Sequence, residues 1–173
     1  MIELELEKTY LAKYLPADLA DFPQTEILDI YIPVETKHPN LRIRKRGDSY
    51  QMTKKILSDE GNASEAEEHT IKLTNDEFDS LSTIRGKRVR KIRYAYVFNG
   101  IDAEVDVFQD DLKGLVMIDF EFKDVKQKAA FKMPDFCLVD VTNEEILAGG
   151  MLCGKRYEDI ESGLKNLGYK KII

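Results

Sequence analysis

Strict alternation of charged and apolar residues is the feature of this sequence that most constrains its fold. Residues 2–10 read Ile-Glu-Leu-Glu-Leu-Glu-Lys-Thr-Tyr. A period of two is typical of β-strands with one polar and one apolar face. Further strands are predicted at 27–32, 41–46, 50–56, 68–73, 89–98, 101–108, 115–123 and 137–141. Gly47-Asp48 and Asn99-Gly100 separate neighbouring segments as tight hairpin turns do. The pattern predicts an antiparallel sheet of about eight strands.

Helical signals are fewer and lie between or after these strands. The pattern Thr74-Asn75-Asp76-Glu77 predicts a capped helix that runs to about Ile84, and Tyr157 to Leu167 is amphipathic and followed by Gly168. The other signals are a short turn at 16–21, a short helix at 124–132, a second capping box at 142–145 and a polar loop at 59–64. One α+β domain over residues 1–173 is expected.

The polar face of each predicted strand carries mostly one sign of charge. Basic pairs recur at Arg42/Arg44 and Lys91/Arg93, and acidic pairs at Glu5/Glu7, Glu104/Asp106 and Asp119/Glu121. A solvated outer face explains any one strand, but like charges this close cost stability unless something compensates them. The whole set favours a closed antiparallel β-barrel with a charged interior and helices packed outside. Basic strands suit a polyanion, and acidic strands suit hard cations.

Composition limits the partners. The chain has 26 Lys and Arg against 32 Asp and Glu, a net charge of −6, which argues against a general binder of nucleic acid or acidic membranes. Nucleic-acid binding through Leu41 to Arg46 rests on one strand and is disfavoured. No apolar run reaches the ~20 residues of a membrane span, and the first residues do not read as a secretory signal, so we expect a cytoplasmic protein. Cys137 and Cys153 are predicted to be reduced thiols, at least one of them buried.

Six blocks of the sequence occur in the order found in a known family. They are Glu5-Leu6-Glu7-Lys8-Thr9-Tyr10; Leu41-Arg42-Ile43-Arg44 with Gly47, Tyr50, Thr53 and Lys55; Lys91-Ile92-Arg93-Tyr94; Glu104-Val105-Asp106-Val107-Phe108; Gly114-Leu115 with Asp119-Phe120-Glu121-Phe122; and Pro134 with Asp140-Val141-Thr142. Over almost its full length the chain resembles the CYTH superfamily, the triphosphate tunnel metalloenzymes.

The resemblance implies a tunnel active site and a divalent-cation-dependent hydrolase of a triphosphate-containing small molecule, with inorganic tripolyphosphate the first candidate. It implies that carboxylates bind Mg²⁺ or Mn²⁺: Glu5, Glu7, Glu121, Asp119, Glu104 and Asp106. It implies that basic residues bind phosphate oxygens: Arg42, Arg44, Lys55, Lys91 and Arg93. In the short bacterial members of the family, a lysine helps to orient or activate the attacking water, often beside a tyrosine. The resemblance implies that Tyr31 is the counterpart of that tyrosine.

Thr9 stands where the family has that lysine, and a hydroxyl carries no charge. Two alternatives stay open beside the hydrolase. One is a class IV adenylate cyclase-like enzyme acting on ATP, which needs the same metal and phosphate groups and also a nucleotide pocket. The other, which Thr9 favours, is a non-catalytic module that binds polyphosphate or a phosphorylated ligand. Segment 143–173 departs from the shorter family pattern and is predicted to plug or flank one tunnel mouth. The oligomeric state is not constrained by the sequence.

Overall fold

The structure is a computed structural model that describes residues 2–57 and 65–172, with only the backbone of residues 2–5, 57, 65 and 66. It is an α+β fold built on a mostly antiparallel sheet, as the sequence predicts. The loop predicted at 59–64 lies outside the described residues.

Nine described strands form one sheet. They are β1 (Ile2–Ala12), β2 (Gln24–Ile32), β3 (Leu41–Arg46), β4 (Ser49–Leu57), β5 (Glu65–Leu73), β6 (Lys87–Phe98), β7 (Ile101–Phe108), β8 (Val116–Glu121) and β9 (Cys137–Asp140). The strand order is β5-β4-β3-β2-β6-β7-β8-β1-β9, with antiparallel neighbours. Strand β5 also pairs with β1, from Ile2 opposite His69 to Leu6 opposite Glu65.

Helices occupy the connections and the C-terminal part of the chain. They are α1 (Asn75–Ser82), α2 (Val125–Ala130), α3 (Gly149–Leu152) and α4 (Tyr157–Asn166), with 3₁₀ turns at Leu19–Asp21, Asp110–Leu112 and Glu145–Leu147. The described helices include none long and apolar enough to cross a membrane.

Local chemistry explains most of these boundaries. Asn99 and Gly100 have φ of 52° and 76°, which the β6–β7 hairpin turn requires and which glycine adopts at little cost. Thr74 and Glu77 form both bonds of the predicted capping box at the start of α1.

The second predicted capping box, at 142–145, is wrong. The Thr142 hydroxyl donates to Asp140 at 2.5 Å and accepts the backbone N–H of Thr9 at 3.1 Å, so it is not available to cap a helix. The chain continues into the 3₁₀ turn at Glu145–Leu147 instead.

Charged residues share one face of the sheet, which we call the charged face. Its opposite face carries most of the apolar strand residues, and α1 covers part of it through contacts between Phe78, Ile30 and Ile43. A second cluster on that side is rich in aromatic rings, with Phe120 fully buried between Tyr10 and Phe131. Burial of these side chains is the main force that orients the strands.

One end of the charged face is apolar and is covered by the C-terminal segment, residues 145–169. The register places five buried side chains in line with the charged positions: Leu11, Tyr31, Val89, Phe108 and Met117. They form one cluster with Leu147, Leu152 and Tyr157 of the C-terminal segment. This end of the charged face is therefore covered by protein.

Candidate active site

Strand pairing brings the acidic residues into neighbouring positions. Glu7 of β1 lies opposite Glu121 of β8, and Asp119 lies between Thr9 of β1 and Glu104 of β7. Residues directly opposite in an antiparallel pair have Cβ atoms about 5 Å apart. The carboxylates are therefore concentrated on β1, β7 and β8.

The basic residues lie on the same charged face but come mainly from other strands. Arg42 and Arg44 of β3 lie opposite Tyr31 and Asp29 of β2. Lys91 and Arg93 lie on β6, where Arg93 is opposite Asp106 of β7. The cationic and anionic strands thus meet on one face, at the β6–β7 pair and again beside β5.

Asp106 is the centre of a buried ion cluster. The Arg93 guanidinium donates to both of its carboxylate oxygens, at 2.6 and 2.7 Å, and the Lys91 ammonium also donates to it. All three residues are less than 9% exposed. Burial alone would raise the pKa of Asp106, but the charges and hydrogen bonds of Arg93 and Lys91 outweigh it and hold the pKa below its usual range.

A second buried pair joins Asp29 and Arg44. The guanidinium donates at 2.6 and 2.8 Å to the two carboxylate oxygens, and the residues are 2% and 6% exposed. Burial opposes ionisation of Asp29, but Arg44 more than compensates and lowers the pKa of the carboxyl to about 2. Sequence reasoning missed Asp29, although a single carboxylate in the otherwise apolar run from Ile27 to Ile32 is a detectable signal.

Looser contacts link Arg42, Lys55, Glu7 and Glu68. The Lys55 ammonium is 3.6 Å from Glu7 Oε1 and 3.8 Å from Glu68 Oε1, while Arg42 Nη2 is 3.7 Å from Glu68 Oε2. Arg42 Nε is buried without a hydrogen-bond partner among the described residues. Sequence reasoning gave Glu68 no role, because its partners come from other strands. These four side chains therefore bring two cations and two carboxylates together where β1, β3, β4 and β5 share the charged face.

Thr9 is hydrogen-bonded to Asp119, one of the predicted metal ligands. Its hydroxyl donates to Asp119 Oδ1 at 2.7 Å, and Arg93 Nη2 lies 3.9 Å from Asp119 Oδ2. Burial raises the pKa of Asp119, and the nearby charge of Asp106 raises it further. Arg93 also donates to Glu104, so this guanidinium faces three carboxylates.

Tyr31 lies at the covered end of the charged face. It is 6% exposed, and burial raises the pKa of its hydroxyl while the charge of Arg42 opposes that rise. The hydroxyl points towards the C-terminal segment, because a Cβ built on Gly149 would lie 2.3 Å from it. Among the predicted site residues, Tyr31 is therefore the one placed against the segment that covers this end.

Two of the predicted metal ligands remain. Glu121 is exposed at the end of β8. Glu5 lies in β1, where the structure describes only its backbone. Among the described side chains, no three Asp, Glu, His or Cys groups are already assembled as a metal site. The available donors are carboxylate oxygens, which is the chemistry that hard divalent cations prefer.

Comparison with known proteins finds relatives among triphosphatases and among solved structures. An inorganic triphosphatase of Nitrosomonas europaea is 30% identical over 148 residues, covering 82% of this chain and 91% of its own length. A solved inorganic triphosphatase covers 87% of this chain and 95% of its own, with 24% identity and a TM-score of 0.64. A provisional adenylate cyclase of Bacillus halodurans covers 99% and 94%, with 14% identity and a TM-score of 0.54. These two structures show a shared fold. No model of a protein family matches the chain.

Proposed function

The chain belongs to the CYTH superfamily of triphosphate tunnel metalloenzymes, and we propose that it is a hydrolase of triphosphates with inorganic tripolyphosphate as its substrate. The named relative is an inorganic triphosphatase, and the match covers most of both chains. The observation that carries the proposal is the meeting of cationic and anionic strands on one face, where ion pairs join Arg42 and Lys55 to Glu7 and Glu68.

We further propose that strands β1 to β8 enclose a tunnel. The pairing of β5 with β1 supports this, because it joins the first strand of the sheet order to the strand that follows β8. The C-terminal segment then covers one mouth, where Leu147 and Leu152 pack on the apolar end of the charged face. Substrate enters and products leave at the other mouth, near Arg46 and Glu121.

The carboxylates of the charged face are proposed to hold Mg²⁺ or Mn²⁺. Their oxygen donors fit a hard cation, and the register already places Glu7 opposite Glu121 and Asp119 opposite Glu104. Glu5 is proposed with them on the basis of the sequence, whereas Asp106 is held by Arg93 and Lys91 and is proposed as a ligand only if those bonds are exchanged. When bound, such an ion neutralises phosphate charge and polarises phosphoryl oxygens.

The residues of this chain contribute positioning and charge. Hydrolysis joins the water oxygen to the terminal phosphorus and breaks the bridging P–O bond, giving orthophosphate and pyrophosphate, while the released proton goes to the leaving group or to solvent. Arg42 and Lys55 are proposed to bind the phosphate oxygens first. Arg44, Lys91 and Arg93 are bonded to the buried carboxylates of Asp29 and Asp106, and they are proposed to bind phosphate only if those bonds are exchanged. Thr9 and Tyr31 are proposed to orient groups at the reaction centre by hydrogen bonds.

Product analysis tests this proposal directly. Purified protein is incubated with tripolyphosphate, thiamine triphosphate or ATP, with and without Mg²⁺ or Mn²⁺, and orthophosphate, pyrophosphate and cyclic AMP are measured. We expect metal-dependent release of orthophosphate and pyrophosphate from tripolyphosphate. Glu7→Gln should reduce turnover by about 10²-fold or more, whereas Glu158→Gln, at an exposed position of helix α4, should not. Metal-dependent binding without any product would overturn the hydrolase and favour a binding module, and cyclic AMP would favour the cyclase.

The lysine position is tested by Thr9→Lys. If Thr9 limits the chemistry, this substitution raises the turnover number. An unchanged turnover number would show that another group does the work of the lysine.

A further inference from the structure

Two glycines of helix α3 touch different parts of the molecule. A Cβ on Gly149 would lie 2.3 Å from the Tyr31 hydroxyl oxygen and 3.2 Å from the ring carbon that bears it. A Cβ on Gly150 would instead meet the Pro39 carbonyl oxygen at 2.3 Å and the His38 ring at 2.7 Å. The shortest distance at each glycine, 2.3 Å, is too short for an ordinary van der Waals contact, so both positions require the absence of a side chain. Only Gly149 makes room for a residue of the proposed site.

Tyr31 has little freedom to move away from Gly149. Its ring belongs to the buried cluster that includes Val89, Leu147 and Leu152, and interiors of this kind are closely packed. A methyl group at position 149 would require a shift of about 1 Å between it and the hydroxyl to reach an ordinary contact distance.

Arg42 is the residue that such a shift would disturb. It lies directly opposite Tyr31 in the β2–β3 register, its Nε is buried without a hydrogen-bond partner among the described residues, and its ion pair with Glu68 is 3.7 Å long. The 3.7 Å contact with Glu68 is too long to fix this guanidinium by itself, and Tyr31 is the neighbour that makes a side-chain hydrogen bond with Arg42.

We propose that Gly149 is a positioning residue: its missing side chain lets Tyr31 stand against the C-terminal segment, and Tyr31 in turn holds the Arg42 guanidinium where it binds phosphate. This inference rests on the proposed function for the identity of the ligand. It assigns to the C-terminal segment a role in ligand binding beyond covering one end of the charged face. It concerns a residue more than 100 positions away from Arg42 in the sequence.

The experiment compares Gly149→Ala with Gly150→Ala. Tripolyphosphate binding without added metal is measured by calorimetry, KM and kcat are measured with Mg²⁺, and thermal unfolding is followed for each protein. We expect Gly149→Ala to weaken binding and raise KM by about tenfold, as for one lost hydrogen bond to a charged group, with a smaller change in kcat. Gly150→Ala should lower the unfolding temperature but leave binding and KM within about twofold of the parent.

A double variant tests the route through the Tyr31 hydroxyl. Tyr31→Phe removes the atom that a methyl at 149 would overlap, so Tyr31→Phe/Gly149→Ala should behave as Tyr31→Phe alone. Equal effects of the two glycine variants on KM, no effect of Gly149→Ala, or additive effects in the double variant would overturn the proposal. If Gly149→Ala does not fold, folding of the double variant supports the proposal, and failure of both overturns it. Absence of hydrolysis by the parent protein would instead contradict the proposed function, and the metal-free binding of tripolyphosphate by the glycine variants would still decide the positioning role.

Discussion

Replacement of Asp29 by Asn should destabilise the protein strongly, although Asp29 is absent from the set of residues that the sequence identifies. The substitution leaves Arg44, 6% exposed, without the carboxylate that accepts two of its hydrogen bonds. A buried charge that loses its partner typically costs about 3–5 kcal/mol. We expect a loss near the lower value, about 3 kcal/mol at pH 7, because an amide oxygen still accepts one bond.

The pH dependence gives an independent magnitude. The pKa of Asp29 is lowered from 3.8 to about 2, which corresponds to roughly 2 kcal/mol of stabilisation. Because the folded pKa is the lower one, this contribution is complete above about pH 5 and is lost as the pH falls from 4 towards 2. The difference in stability between the parent protein and Asp29→Asn should therefore be constant from pH 7 to pH 5 and shrink below pH 4.

Urea unfolding followed by circular dichroism at pH 7, 5, 4 and 3 measures both the free-energy cost of Asp29→Asn and its pH dependence. Asp135→Asn, an exposed carboxylate, is the matched control and should change stability by less than about 0.5 kcal/mol. Adding Arg44→Met to Asp29→Asn removes the unpaired charge and should recover part of the loss. A cost below 1 kcal/mol for Asp29→Asn, or a difference from the parent that does not change between pH 5 and 3, would refute this account of the pair.

Three further predictions concern the fold. Thr74→Ala removes the side-chain bond to the Glu77 N–H and should cost about 1 kcal/mol in urea unfolding, and an unchanged midpoint would contradict the cap. Gly100→Ala has open space but a φ of +76°, so it should cost about 1–2 kcal/mol by backbone strain alone, and a neutral result would exclude the strained turn. Cys137 and Cys153 are each 3% exposed with thiol pKa raised by burial to about 12 and 11, so both should resist alkylation at pH 8 until urea unfolds the protein; rapid labelling of native protein would contradict their burial.

Strand positions were predictable because each strand depends on the pattern of a few neighbouring residues. An alternating run such as residues 2–10 specifies both its conformation and the face of each side chain, since the side-chain period of a strand is two. Hairpin turns add order, as Asn99 and Gly100 do between β6 and β7. The same local logic failed at Thr142, whose hydroxyl is bound by Asp140 and the backbone of a distant strand.

Which charged residues of the site pair with one another was not predictable in this way. The sequence gives Lys91, Arg93, Arg42 and Lys55 one common role, phosphate binding, and includes Asp106 among the possible metal ligands. The structure buries Lys91 and Arg93 with Asp106 in a closely bonded cluster, whereas Arg42 and Lys55 form ion pairs with Glu68 and Glu7 at 3.6–3.8 Å. Which cation meets which carboxylate depends on the register between strands that are far apart in the chain.

The sequence by itself determined the α+β class, the strands, and the division of charge between them, because these depend on periods and turns of a few residues. Only the tertiary structure decided that Asp29 neutralises Arg44, that Thr9 donates to Asp119, and that the C-terminal segment covers one end of the charged face. The two hydrogen-bonded pairs join residues that are 15 and 110 positions apart in the sequence. Burial and charge pairing at such separations follow from the packing of the whole sheet, which no local pattern encodes.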